Sequence, residues 1–210
     1  TLAITTASFA DTTYVPVGDD LQAAINSASQ GDVLVLEAGT YYCEYPGFTT
    51  DDGTSITIQG QIDKITGLPT SILSAPENTW TRAWYSNVGL HPNFVFENLV
   101  FANATLNAAG VFIAGSPTLN NCTFRDNSRG GMRSHNGSPV LTDCRFENNG
   151  IENFSSEFGG ALTVTRNSSG EGLPPVKLIR PVACNNGYPY LLAWSENSLI
   201  VEEGCFAFSC

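Results

Sequence analysis

The chain has 210 residues, only 14% of them charged, and nine Lys+Arg stand against twenty Asp+Glu for a net charge of −11. That length suits one well-buried domain, and no linker-like stretch divides it. The acidic balance argues against nucleic acid or an anionic membrane surface as a partner, and no apolar run approaches the roughly 18 residues of a membrane span.

Residues 1–17 alternate small, threonine and apolar residues, as an extended strand does. Thr1 to Ala10 lack the basic flank and apolar run of a secretory signal and read as the start of an already processed chain. One helix is predicted over 19–30. Asp19 serves as N-cap, Gln22 completes a capping box, Leu21, Ala24, Ile25 and Ala28 make one apolar stripe, and Gly31 stops it. A strand and a turn follow over 32–41. Strands and turns then alternate to the end, so 1–210 reads as a single domain whose coils fill 32–210.

The second half repeats. Phe101, Phe124 and Phe146 recur at intervals of 23 and 22, while Cys122/Cys144 and Asn127/Asn149 recur at 22. A period of this length, with β-forming residues and turn residues in every unit, defines a stacked solenoid. Leu119 or Leu141, then Cys122 or Cys144, then Phe124 or Phe146 are expected to point inward. Each would stack on its counterpart about 4.8 Å away. Asn127 over Asn149 is expected to form an asparagine ladder in a turn. Residues 32–210 leave room for about seven coils, a rod roughly 35 Å long. Two stretches, 150–158 and 166–175, break the rhythm as insertions.

The run DDLQAAINSASQGDVLVLEAGTY resembles the N-terminal cap and first coil of right-handed parallel β-helix proteins of the pectin-lyase-like superfamily. That resemblance implies an all-β, right-handed parallel β-helix whose short helix covers one end of the solenoid. Phe124-x-x-Asn127 and Phe146-x-x-Asn149, followed by Gly130-Gly131 and Gly159-Gly160, are similar to the repeats of polymorphic outer-membrane adhesins. Such scaffolds carry many unrelated functions, so neither likeness fixes an activity.

Six cysteines, Cys43, Cys122, Cys144, Cys184, Cys205 and Cys210, contain no CxxC pair and give no structural zinc signature. Cys122 and Cys144 form either a buried thiol pair or a disulfide between coils, and Cys205 with Cys210 lies where the C-terminal end needs locking. Sequons at Asn103, Asn121, Asn136, Asn153 and Asn167 join the even cysteine count in pointing to a secreted glycoprotein at the cell exterior.

Arg125, Arg129, Arg133 and Arg145 concentrate four of the nine cations in one stretch, with His135 beside them. Arg133 and His135 share a strand face. If Met132 and Ser134 point inward like Val111/Ile113 and Ala161/Thr163, that face is external. A lyase acting on an acidic polysaccharide needs a cation for the uronate carboxylate and a base for the C5 proton. Arg133, His135 and Arg129 are the candidates, and solvated surface charge is the alternative. Arg125 falls in register with Glu147 as a cross-strand ion pair. Asp126, Asp143 and Glu147 lie near one another by register and raise calcium as the one conceivable cofactor, although Asp126 also fits a turn ladder. Trp80, Trp84 and Tyr85 form one aromatic cluster, and Tyr188, Tyr190 and Trp194 another. Their rings either stack on sugars or fill the solenoid.

Three functions follow. The first is an extracellular structural or surface protein that assembles head-to-tail, with its N-terminal strand reaching the open end of another subunit. The second is a polysaccharide lyase. The third is a glycan-binding adhesin.

Overall fold

The computed structural model describes residues 10–50, 54–76, 81–86, 94–105, 108–150, 160–166, 173–187, 191–193 and 199–207. Among these described residues there are one helix, α1 (Leu21–Ser27), and three sheets. Sheet A runs in the order β1 (Thr12–Val15), β2 (Val33–Leu36), β4 (Thr57–Gln59), β7 (Val95–Glu97), β10 (Thr118–Asn120), β13 (Val140–Thr142), β16 (Val176–Ile179) and β19 (Leu199–Glu202). Sheet B holds β3 (Gly39–Tyr42), β5 (Ser71–Ser74), β8 (Leu99–Ala102), β11 (Thr123–Arg125), β14 (Arg145–Glu147), β17 (Val182–Cys184) and β20 (Cys205–Ala207). Sheet C holds β6 (Trp84–Ser86), β9 (Ala109–Ile113), β12 (Gly130–His135), β15 (Leu162–Thr165) and β18 (Leu191–Ala193). Every pairing between these strands is parallel, and successive coils stack in register as a right-handed parallel β-helix.

The core is built as ladders. Leu34, Ile58, Phe96, Leu119, Leu141 and Leu178 form one inward column, each in register with the next and each buried. Phe101, Phe124 and Phe146 stack face to face, with centroids 5.3 and 4.8 Å apart. The Phe repeat is therefore a column of rings shielded from water on every side.

The corners explain the polar repeat. Asn98, Asn121, Asp143, Arg180 and Glu203 all take positive φ at the bend from sheet A to sheet B, and Asn103, Asp126, Asn148 and Asn185 do so after sheet B. Asn and Asp tolerate this left-handed conformation better than other non-glycine residues, which accounts for their place in each coil. Asn127 and Asn149 form the expected ladder, which continues to Asn186.

The tight corner also dictates glycine. A Cβ on Gly110 would lie 2.5 Å from Asn127 Nδ2, and one on Gly131 would lie 2.8 Å from both Phe146 Cδ1 and the Ala161 carbonyl. Gly110→Ala is expected to cost about 1–3 kcal/mol by overpacking against the ladder. Urea denaturation checks this, and an unchanged midpoint would contradict it.

Four details differ from the sequence expectations. The helix cap is Asp20, not Asp19; its Oδ1 accepts from Ala23 N at 2.9 Å. Gln22 closes no capping box but clamps the helix to the next loop, donating to Thr49 O at 2.7 Å and accepting from Thr49 N at 3.0 Å. Met132 and Ser134 register with Leu162 and Val164, so Thr163 shares the outer face with Arg133. The fourth concerns the N-terminal strand. Thr12–Val15 pairs with β2 of its own solenoid, so that portion is not held for a neighbouring subunit. Residues 1–9 lie outside the described residues.

Candidate functional site: the outer face of sheet C

Alternation along β12 sends Met132 and Ser134 inward and Arg133 and His135 outward, where both are half-buried. The same alternation on β9 sends Val111 and Ile113 inward and Phe112 outward. Register then aligns Tyr85, Phe112, Arg133 and Thr163 across four strands.

Tyr85 stacks on Phe112 at 5.5 Å with planes 28° apart, and Phe112 on His135 at 6.2 Å and 27°. Two guanidinium groups cover these rings. Arg82 Cζ lies 5.2 Å from the Tyr85 centroid and 5.4 Å from that of Phe112, while Arg133 Cζ lies 5.5 Å from Phe112. Each such contact contributes about 0.5–2 kcal/mol and fixes the plane of the guanidinium.

Arg129 completes the group. Burial lowers the Arg82 pKa, and the nearby charges of Arg133 and Arg129 lower it further. Arginine remains cationic regardless, so Arg82 and Arg133 bring two positive charges to one face of a chain whose net charge is −11, with Arg129 near enough to act on Arg82. Exposure varies along the face: Arg133 and His135 are half-buried, whereas outward-facing Thr163 is only 1% exposed.

His135 is held on both nitrogens. Nδ1 meets Thr165 Oγ1 at 2.9 Å, and Nε2 lies 3.3 Å from Asn136 Nδ2. The amide donates, so Nε2 is the acceptor and Nδ1 carries the proton. Burial, followed by the Arg133 charge, lowers the imidazole pKa below its ordinary range. The ring is neutral at neutral pH, but its free lone pair already accepts the Asn136 amide.

The other sequence candidates separate. Trp84 is corrected: it is 0% exposed, packed edge-on to Phe94 and Phe96, and offers no ring to a sugar. Its place on an inward position of β6 is the reason. Trp80, Tyr188, Tyr190 and Trp194 lie outside the described residues. Arg125 and Glu147 are in register but do not pair; Glu147 takes Arg145 at 2.6 Å, and Arg125 approaches Asp126 at 3.6 Å. Asp143 is gripped by Arg180 through two 2.7 Å bonds, which hold its carboxyl below the usual range. The three carboxylates raised for calcium thus each serve a different neighbour, and no metal-binding group of three appears among the described residues.

Cys43, Cys122 and Cys144 are buried free thiols, not disulfide partners. Burial pushes the Cys43 thiol up to about 11 and holds Cys122 well above the ordinary thiol range, so both are inert. Cys184 is buried too but is disulfide-bonded, as expected of a candidate, and the Cys205 side chain and Cys210 lie outside the described residues. Asn103, Asn121 and Asn136 all occupy positive-φ turns with their amides engaged. Asn121 uses Nδ2 twice, toward Gly67 O and Asn98 Oδ1. Asn153 and Asn167 lie outside the described residues.

Arg82 and Phe112 escaped the sequence reading. Phe112 was legible from the Val111/Ile113 alternation, but Arg82 was not, because the coil that carries it departs from the 22-residue period.

A sequence model described as a right-handed β-helix region matches residues 78–171, the stretch that contains most of this face. No curated protein matches the chain. The chain is accordingly a right-handed parallel β-helix, and among the described residues no helix is long and apolar enough to cross a membrane.

Proposed function

We propose that this protein is an extracellular β-helix that binds an acidic glycan along the outer face of sheet C. The observation that carries this reading is the placement of Arg82 and Arg133 over the Tyr85–Phe112 stack, with His135 stacked on Phe112 beside them. Planar guanidinium groups pair bidentately with carboxylate or sulfate, and aromatic edges offer apolar contact to sugar C–H groups. The strands run across the solenoid axis, so a polymer lying along that axis would meet Tyr85, Phe112 and Arg133 in successive coils.

Binding is favoured over elimination because His135 Nε2 already accepts the Asn136 amide. Incubation with oligouronates is expected to give binding without chain cleavage. Accumulation of unsaturated products, abolished by Arg133→Ala, would replace this reading with the lyase. The assembly reading has less support, since the described part of the N-terminal strand is used within its own solenoid.

Binding should depend on pH. The folded state holds His135 neutral, and its pKa lies below the ordinary value of 6.5. A lowered histidine contributes stability above its unfolded pKa and loses it as pH falls through the folded pKa. A bound anion beside the ring reverses that preference and favours proton uptake. Affinity for an oligouronate is therefore expected to rise between pH 7 and 5 in the native protein and to stay flat in His135→Gln. Equal pH profiles for the two would contradict the placement of the ligand.

A further inference from the structure

A cavity of about 620 Å³ lies between the start of α1 and the loop after β3, against the coil that carries Arg82 and Tyr85. Its rim carries Tyr42 and Tyr45, which are 69% and 70% exposed. Isolated apolar residues at a surface are ordinary, but two large rings bordering one cavity are a recognition feature. Asp19 and Glu44 line the same space, and among the described residues its lining includes no lysine or arginine; the nearest guanidinium, Arg82, acts on Tyr45 from the neighbouring coil. The cavity is thus negative and aromatic where the sheet C face is positive and aromatic.

The walls are built rather than loose. Gln22 ties α1 to Thr49 in both directions, Cys43 N donates to Ser74 O, and Gly47 N closes a turn on Glu44 O at 2.7 Å. Arg82 N donates to Pro46 O, and Tyr85 N to Phe48 O. A Cβ at Gly47 would stand 2.5 Å from Arg82 O, so this loop is pressed against the coil below. The main chain that carries the two tyrosines is thus fixed before any ligand arrives.

We propose that this cavity binds an organic cation: an ammonium group flanked by C–H surface, with the tyrosine rings against the C–H groups and Glu44 and Asp19 against the charge. Aromatic rings and carboxylates together are the chemistry that recognises such ions. Two sources share that chemistry, an amino sugar and an alkylammonium group of the choline type.

The test is calorimetric titration of the whole chain with a glucosamine oligomer, with choline, and with the N-acetylated oligomer as the uncharged control. At least one cation is expected to bind, with the control at least about tenfold weaker. Tyr45→Ala and Glu44→Gln are each expected to weaken that cation about five- to tenfold. Both side chains are exposed, and an unchanged melting curve verifies that the fold survives. Which cation binds identifies the source. Binding of neither, equal binding of the uncharged oligomer, or unchanged affinity in both variants would overturn the proposal. Oligouronate binding that survives in Glu44→Gln separates failure of this cavity from failure of the sheet C face.

Discussion

Asn149→Ala is expected to destabilise the protein by about 3–5 kcal/mol, a large part of a typical domain's stability. Asn149 is fully buried and serves the coils on both sides. Its Nδ2 donates to Phe124 O at 2.8 Å and to Asn186 Oδ1 at 2.9 Å, while its Oδ1 accepts from Asn127 N at 3.3 Å and Asn127 Nδ2 at 2.9 Å. Alanine removes all four bonds and strands several groups with no access to water, each costing about 1–3 kcal/mol. Partial relaxation keeps the total below the full sum. Aspartate at the same position should be as damaging, since it retains acceptors but loses the donor and buries a charge. Urea denaturation measures both, and a loss below about 1 kcal/mol in either would mean that the ladder is not structural.

Arg82→Ala combined with Arg133→Ala is expected to weaken binding to an immobilised acidic glycan by about 30-fold, less than the product of the single changes, each of which costs about tenfold. The two guanidinium groups share Phe112 as their platform, so their effects should not be independent. Lysine keeps the charge but lacks the planar fork, and Arg133→Lys should recover only part of the loss. Full recovery by lysine would point to a diffuse electrostatic surface instead of a shaped site. The double variant also loses three guanidinium–ring contacts, so its melting temperature should fall by several degrees and binding is to be compared well below that transition.

Much of the fold was legible because a solenoid writes its geometry as a period. The 22-residue interval between Phe124 and Phe146 is one coil, and the interval between Asn127 and Asn149 is one rung of the ladder. The positive-φ corners were visible only as an abundance of Asn and Asp, since sequence does not distinguish a turn residue from a ladder residue. The cap shifted by one residue because Asp19 and Asp20 are equally good caps. Only the packing of Leu21 and Ile25 against the first coil chooses between them.

The candidate site was half legible. Alternation placed Arg133 and His135 outside, but their neighbours come from coils of unequal length. Tyr85 to Phe112 is 27 residues and Phe112 to Arg133 is 21, so a fixed period cannot align them. Trp84 illustrates the opposite error. A tryptophan within an aromatic cluster looks like a sugar platform, yet the parity of its strand position turns it inward.

The measurement that tests the central claim most directly is calorimetric titration of the native protein with an oligogalacturonate, set against an uncharged glucan of equal length. The account predicts saturable binding of the uronate, weakened by added salt as exposed charges are screened, and no binding of the glucan. No detectable uronate binding, or equal affinity for the two polymers, would contradict it.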